Sequence, residues 1–110
     1  MIRHISVFTF LETGRNGKSK KENIETIRAY LEKVPAMYPA MKACQIGVAI
    51  PGEVPDLPES ACPLFGDLVQ IADYETLEDA NGYPPSKAHM DLVALSDPML
   101  EKVTAIDFEF

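Results

Sequence analysis

A chain of 110 residues, 46% of them hydrophobic, is long enough for one domain with a real core and too short for two. A formal charge of −7 and a pI near 4.7 set its surface against nucleic-acid phosphates. No apolar run approaches the roughly 20 residues that span a bilayer, and Met1-Ile2-Arg3-His4-Ile5 alternates like a strand instead of forming a signal peptide. The expectation is a single cytoplasmic domain over residues 1–110, with neither nucleic acid nor membrane as partner.

Residues 2–10 are rich in β-branched and aromatic side chains and predict a strand. Period two puts Ile2, His4, Ser6, Phe8 and Phe10 on one face and Arg3, Ile5, Val7 and Thr9 on the other. After a Gly14–Gly17 loop, Ser19 and Glu22 fit a capping box. The helix it opens carries Ile24, Ile27, Leu31 and Val34 on one stripe and is expected to end near Val34, before Pro35 and Pro39. Residues 42–50 predict a second strand, and the four prolines within 51–65 a long surface loop. Cys44 and Cys62 fall in that strand and that loop and are read as free thiols.

Residues 67–74 predict a third strand, with Leu68, Gln70 and Ala72 facing one way and Val69 and Ile71 the other. A short helix from Thr76 to about Asn81 is stopped by Gly82 and Pro84-Pro85. Ser86 caps a further helix to about Leu95, Asp97-Pro98 starts a last turn, and residues 103–110 predict a closing strand. This β-α-β-β-α-β order is the split βαβ pattern, an α+β, ferredoxin-like antiparallel sheet with helices on one face. Helices cover one face only, yet Ile5, Val7, Val69, Ile71, Ile106 and Phe108 would lie on the other. An apolar patch of that size predicts that two copies pack sheet against sheet as a homodimer.

The chemistry-bearing residues are few. The double proline between Tyr83 and His89 folds the chain back, so that phenol and imidazole can face one cavity, with His4 on the first strand as the only other histidine. A histidine titrates near neutrality and can act as a base, while a phenol can hold a developing oxyanion. On this reading His89 is the base, Tyr83 holds a carbonyl oxygen, and His4 orients the substrate or completes a relay. Ser6, Phe8, Ile27, Leu31, Ala72 and Leu92 are the expected lining. No cofactor is needed, and neither histidine has a Cys, Asp or Glu at metal-ligand spacing. The same residues admit structural readings. His4 could bond to backbone at the core edge, His89 could cap a local carbonyl or donate to Asp107, and Tyr83 could simply fill the corner.

Ile2-Arg3-His4-Ile5-Ser6-Val7-Phe8, Pro39-Ala40-Met41-Lys42, the run from Tyr83 to His89, and Ile106-Asp107-Phe108 together resemble the stress-responsive A/B-barrel (Dabb) family. The resemblance implies a dimeric α+β barrel built on a ferredoxin-like monomer. In a plant polyketide cyclase of that family, which works by aldol chemistry, the catalytic histidine, its supporting tyrosine and a strand-one pocket histidine match His89, Tyr83 and His4. The chain departs from the family's frequent His-Pro-Ala-His, reading Ser86-Lys87-Ala88-His89, and has Leu31 where that cyclase has a pocket tyrosine. Three function classes fit: a protein binding a small apolar or carbonyl-containing molecule, a cofactor-independent cyclase or lyase, and a structural stress-response dimer without catalysis.

Overall fold

The alternating residues Ile2–Phe10 form β1, a central strand paired on both edges. A computed structural model describes residues 1–50 and 66–110. The proline-rich loop expected at 51–65, with Cys62, lies outside the described residues. After β1 come α1 (Lys20–Met37), β2 (Met41–Val48), β3 (Leu68–Tyr74), α2 (Leu77–Gly82), α3 (Lys87–Ser96), a 3-10 turn at Asp97–Met99 and β4 (Leu100–Glu109). The sheet order is β2-β3-β1-β4 with every neighbouring pair antiparallel, the ferredoxin-like arrangement expected from the element order. Among the described residues, no helix is long and apolar enough to cross a membrane.

Helix α1 starts where its capping box predicts. The Glu22 amide donates to Ser19 Oγ at 3.2 Å, and the Ser19 amide donates to Glu22 Oε2 at 3.3 Å. Its end differs from expectation, since the helix runs through Pro35 to Met37. Proline removes one donor in the last turn, but the Tyr38 amide still closes onto the Val34 carbonyl at 2.8 Å. Tyr38 is itself anchored, its hydroxyl donating to the Asp79 carbonyl at 2.6 Å. The helix thus passes a residue that sequence rules treat as a stop, and a tertiary contact holds its end.

Ile27, Leu31 and Val34 of α1 are fully buried against Phe8, Phe10, Leu68, Ala72 and Tyr74 of the sheet. Each such side chain contributes roughly 1.5–3 kcal/mol of transfer free energy. Tyr30, at the edge of the stripe, donates to the Ala88 carbonyl at 2.6 Å and ties α1 to α3. Strand β4 begins three residues earlier than expected. The 3-10 turn delivers Leu100 directly opposite Phe10, and the Leu11 amide bonds the Met99 carbonyl at 3.0 Å.

The two sheet faces differ sharply. Ile2, Ser6, Phe8 and Phe10 of β1 are buried under the helices. On the opposite face Ile106, Phe108 and Phe110 are 61%, 40% and 56% exposed, and Ile5, Val7, Val69 and Ile71 are only half-buried. The helical layer also stops short of β4, whose helix-side residues Val103, Ala105 and Asp107 stay exposed. A gap remains between α3 and that edge of the sheet.

Candidate functional site: the cavity between the sheet and the third helix

That gap is a cavity of about 260 Å³. Its strand wall is His4, Ser6 and Phe8 of β1, Gln70 of β3 and Val103 of β4. Its helix wall is Tyr83, His89, Leu92, Val93 and Ser96. A larger hollow of about 630 Å³ opens beside Glu12, Lys20 and Val48, away from both histidines. The smaller cavity is the one that brings both histidines and Tyr83 together.

The helix wall is made by the proline corner. Thr76 caps α2 by accepting from the Asp79 amide at 3.1 Å, and α2 ends at Gly82. A Cβ at Gly82 would stand 2.5 Å from the Tyr38 hydroxyl, so only glycine allows that approach. The Ser86 amide then bonds the Tyr83 carbonyl at 2.9 Å, and Ser86 Oγ caps α3 by accepting from the His89 amide at 3.3 Å. This geometry sets the Tyr83 and His89 rings 4.9 Å apart, edge to face at 65°. Tyr38 and Tyr74 support Tyr83 from behind, with ring centroids at 5.5 and 6.4 Å.

Two features of this wall bear on chemistry. His89 Nδ1 lies 3.0 Å from the Pro84 carbonyl, which can only accept, so Nδ1 carries a proton. In the neutral ring Nε2 therefore holds a lone pair. Tyr83 is 4% exposed, and its hydroxyl is buried with no hydrogen-bond partner. Burial pushes the phenol well above its ordinary pKa, with Tyr30 and Cys44 adding to the rise and Gln70 pulling slightly back. At neutral pH Tyr83 is a proton-bearing donor with nothing to donate to. Leaving such a group unpaired costs about 1–3 kcal/mol.

The strand wall is organised by pairing register. His4 stands directly across from Asp107 on β4, and Ser6 lies two residues along β1 on the same face. His4 Nδ1 meets the Asp107 carboxylate, and His4 Nε2 lies 2.6 Å from Ser6 Oγ. Both ring nitrogens thus bond to side chains, where the structural reading expected backbone. Asp107 pairs with His4 and not with His89, because the β1–β4 register puts it there.

Of the residues named from sequence, His4, Ser6, Phe8, Tyr83, His89 and Leu92 are on the cavity walls. Ile27, Leu31 and Ala72 are elsewhere, each 0% exposed in the closed core. The reason is that α1 packs chiefly over β2 and buries these side chains completely, whereas the gap lies between α3 and the β1–β4 edge. Gln70, Val93, Ser96 and Val103 were not anticipated as lining. The alternation of β3 had already put Gln70 on the helix face, which was the available signal. Cys44 is a half-buried free thiol that accepts from Gln70 Nε2 at 3.6 Å, and burial pushes its pKa up, against a role as thiolate nucleophile.

No match was found among curated proteins. Among solved structures, the chain is similar to a dimeric protein of unknown function and ferredoxin-like fold from Bacteroides fragilis NCTC 9343, at 17% identity and TM-score 0.76, covering 99% of this chain and 95% of that one. It is similar to a dimeric ferredoxin-like protein of unknown function from Thermobifida fusca at 26% identity and TM-score 0.72, covering 99% and 90%. A hydroxynitrile lyase from Passiflora edulis shares the fold at 16% identity and TM-score 0.70, covering 97% and 90%. The profile of the stress responsive A/B barrel domain, Dabb, matches residues 2–110, and the chain belongs to that family.

Proposed function

We propose that two copies of this chain pair through their uncovered sheet faces, and that each cavity binds a small, largely apolar molecule bearing a carbonyl group. The observation that carries the ligand reading is the Tyr83 hydroxyl, a buried donor without a partner on a cavity wall. A small shift of the Tyr83 ring toward the cavity would let a ligand carbonyl satisfy it, while Phe8, Leu92 and Val93 supply apolar contact. At about 30 Å³ per water, the volume holds roughly nine water-sized units, which suits a compact molecule. The exposed Ile106, Phe108 and Phe110 support the pairing, as do the dimers described for the Bacteroides and Thermobifida proteins.

A second reading, cyclase- or lyase-type catalysis, is favoured by the free lone pair on His89 Nε2. His89 would take a proton from the carbon next to the carbonyl as the C–H electrons move towards oxygen. Tyr83 would donate to the oxyanion so formed. The presence of a hydroxynitrile lyase on the same fold shows that the scaffold accommodates lyases. A structural dimer without ligand has less support, because the cavity is not filled by the chain's own side chains.

Native mass spectrometry joined to NMR titration tests both parts. The expected result is a dimer in which small aryl and cyclic ketones shift the Tyr83 and His89 ring signals, with affinity falling about tenfold in Tyr83→Phe. A monomer would remove the pairing. Ring signals that ignore every carbonyl compound would remove the ligand reading.

A further inference from the structure

We infer that Ser6 is a covalent acyl acceptor, activated by His4 and Asp107, and that the cavity hydrolyses esters of short carboxylic acids. The argument starts from proton positions. An ionised carboxylate only accepts, so the Asp107 contact fixes the proton of His4 on Nδ1. Nε2 is then an acceptor, and the 2.6 Å contact to Ser6 Oγ has the serine hydroxyl donating to it. A serine whose proton points at an imidazole, itself held by a carboxylate, is the arrangement that makes an alcohol nucleophilic. Here it is assembled from two antiparallel strands, His4 and Asp107 by cross-strand register and Ser6 by period two.

The surroundings fit an acyl substrate. Ser6 and His4 both line the cavity, and Ser6's partner on β4 is the small Ala105. Val103, on the β4 side of the cavity, is 48% exposed. Tyr83, the unpartnered donor on the opposite wall, has its hydroxyl turned out of solvent reach and would serve an oxyanion only after the ring shifts toward the cavity. To that extent the inference rests on the cavity admitting a carbonyl ligand, as proposed above. Nucleophile and relay are separate from His89.

The step balances without a cofactor. Ser6 Oγ bonds to the acyl carbon as its proton passes to His4 Nε2 and the carbonyl π pair moves to oxygen. On collapse the ester C–O bond breaks, and the departing alkoxide takes the proton from Nε2. Water then attacks the acyl-serine with His4 again accepting a proton. The carboxylic acid leaves, and the proton returns to Ser6 Oγ. Asp107 touches no reacting atom and is a positioning residue.

The test uses the full chain with a small dialkyl fluorophosphate and with p-nitrophenyl acetate. Intact-mass and peptide analysis is expected to show one phosphoryl adduct per chain, on Ser6, and the acetate to give a p-nitrophenolate burst of about one equivalent. Both vanish in Ser6→Ala. In Asp107→Asn, labelling slows at least a hundredfold and the ring ¹⁵N shifts of His4 leave the Nδ1–H pattern, a change that a merely structural contact does not require. An adduct on any other residue, or labelling that survives Ser6→Ala, overturns the inference. No adduct while ketones still shift the Tyr83 signals overturns the nucleophile alone, and no adduct with no ketone response overturns the ligand reading as well.

Discussion

Both faces of the sheet carry large apolar side chains, yet among the described residues only one of them is covered. On the helix side, Phe8, Phe10, Leu68 and Tyr74 are at most 4% exposed and meet Ile27, Leu31 and Val34. On the open side, Ile5 and Ile71 sit in register on neighbouring strands, Ile106 pairs with Ile5, and no helix among the described residues lies over them. The difference teaches where each kind of chemistry belongs. The covered face solves most of its burial within one chain and leaves, at the β1–β4 edge, a gap that brings both histidines and Tyr83 together. In the proposed dimer, the open face is buried by the second copy.

Substitutions can break or sharpen that contrast. The largest effect is expected at Ile106→Asp, which is exposed in one chain and central in the proposed dimer. A charge buried there is met twice in a two-fold interface, at about 2 kcal/mol or more each, so the dimer weakens about a thousandfold. Sedimentation should show monomers with an unchanged circular-dichroism spectrum; a persisting dimer would place the interface elsewhere. On the covered face, Leu31→Ala should lower the unfolding free energy by about 3 kcal/mol, read by urea titration, without changing the oligomeric state.

Tyr83→Phe discriminates more finely. Because its hydroxyl is buried without a partner, removing it should leave the unliganded protein as stable or about 1 kcal/mol more so, while weakening carbonyl ligands. A loss of stability greater than about 1 kcal/mol would mean that the hydroxyl has an internal partner.

The smallest effect is electrostatic and belongs to the open face. Arg3 donates two bonds to Asp73, at 2.7 and 2.9 Å, and lies 4.6 Å from the Phe110 ring centroid. The hydrogen bond from Arg3, with its charge, holds the Asp73 carboxyl below the ordinary carboxylate range, against a smaller opposing push from burial. A depressed carboxylate stabilises the folded state fully above its unfolded value, near 3.9, and that contribution is lost as pH falls through the folded value. Asp73→Asn should therefore flatten the acid limb of a stability-against-pH curve and leave its slope near neutrality unchanged.

Local signals carried much of this structure in the sequence. Ser19 and Glu22 announced the start of α1, Pro84-Pro85 announced the corner that sets Tyr83 beside His89, and period two sorted every residue of β1 to its face. These features depend on neighbours within a few positions, so a linear reading can reach them. The end of α1 was beyond that reach. Pro35 argues for a stop, yet the helix continues to Met37, and the next residue, Tyr38, is anchored to Asp79, 41 positions away.

The candidate site divides along the same line. Residue types and their faces marked His4, Ser6, Tyr83 and His89 from the sequence alone, as the periodicity of strands and the geometry of proline require. Which carboxylate meets which histidine was decided by tertiary structure. Asp107 belongs to His4 because the first and last strands pair in one register, a choice made by whole faces of apolar side chains and by no single residue. The place of the cavity was decided in the same way. Ile27 and Leu31 were as apolar as any lining residue could be, but a void forms only where the packed layers fail to meet. Here that is the strip between α3 and β4.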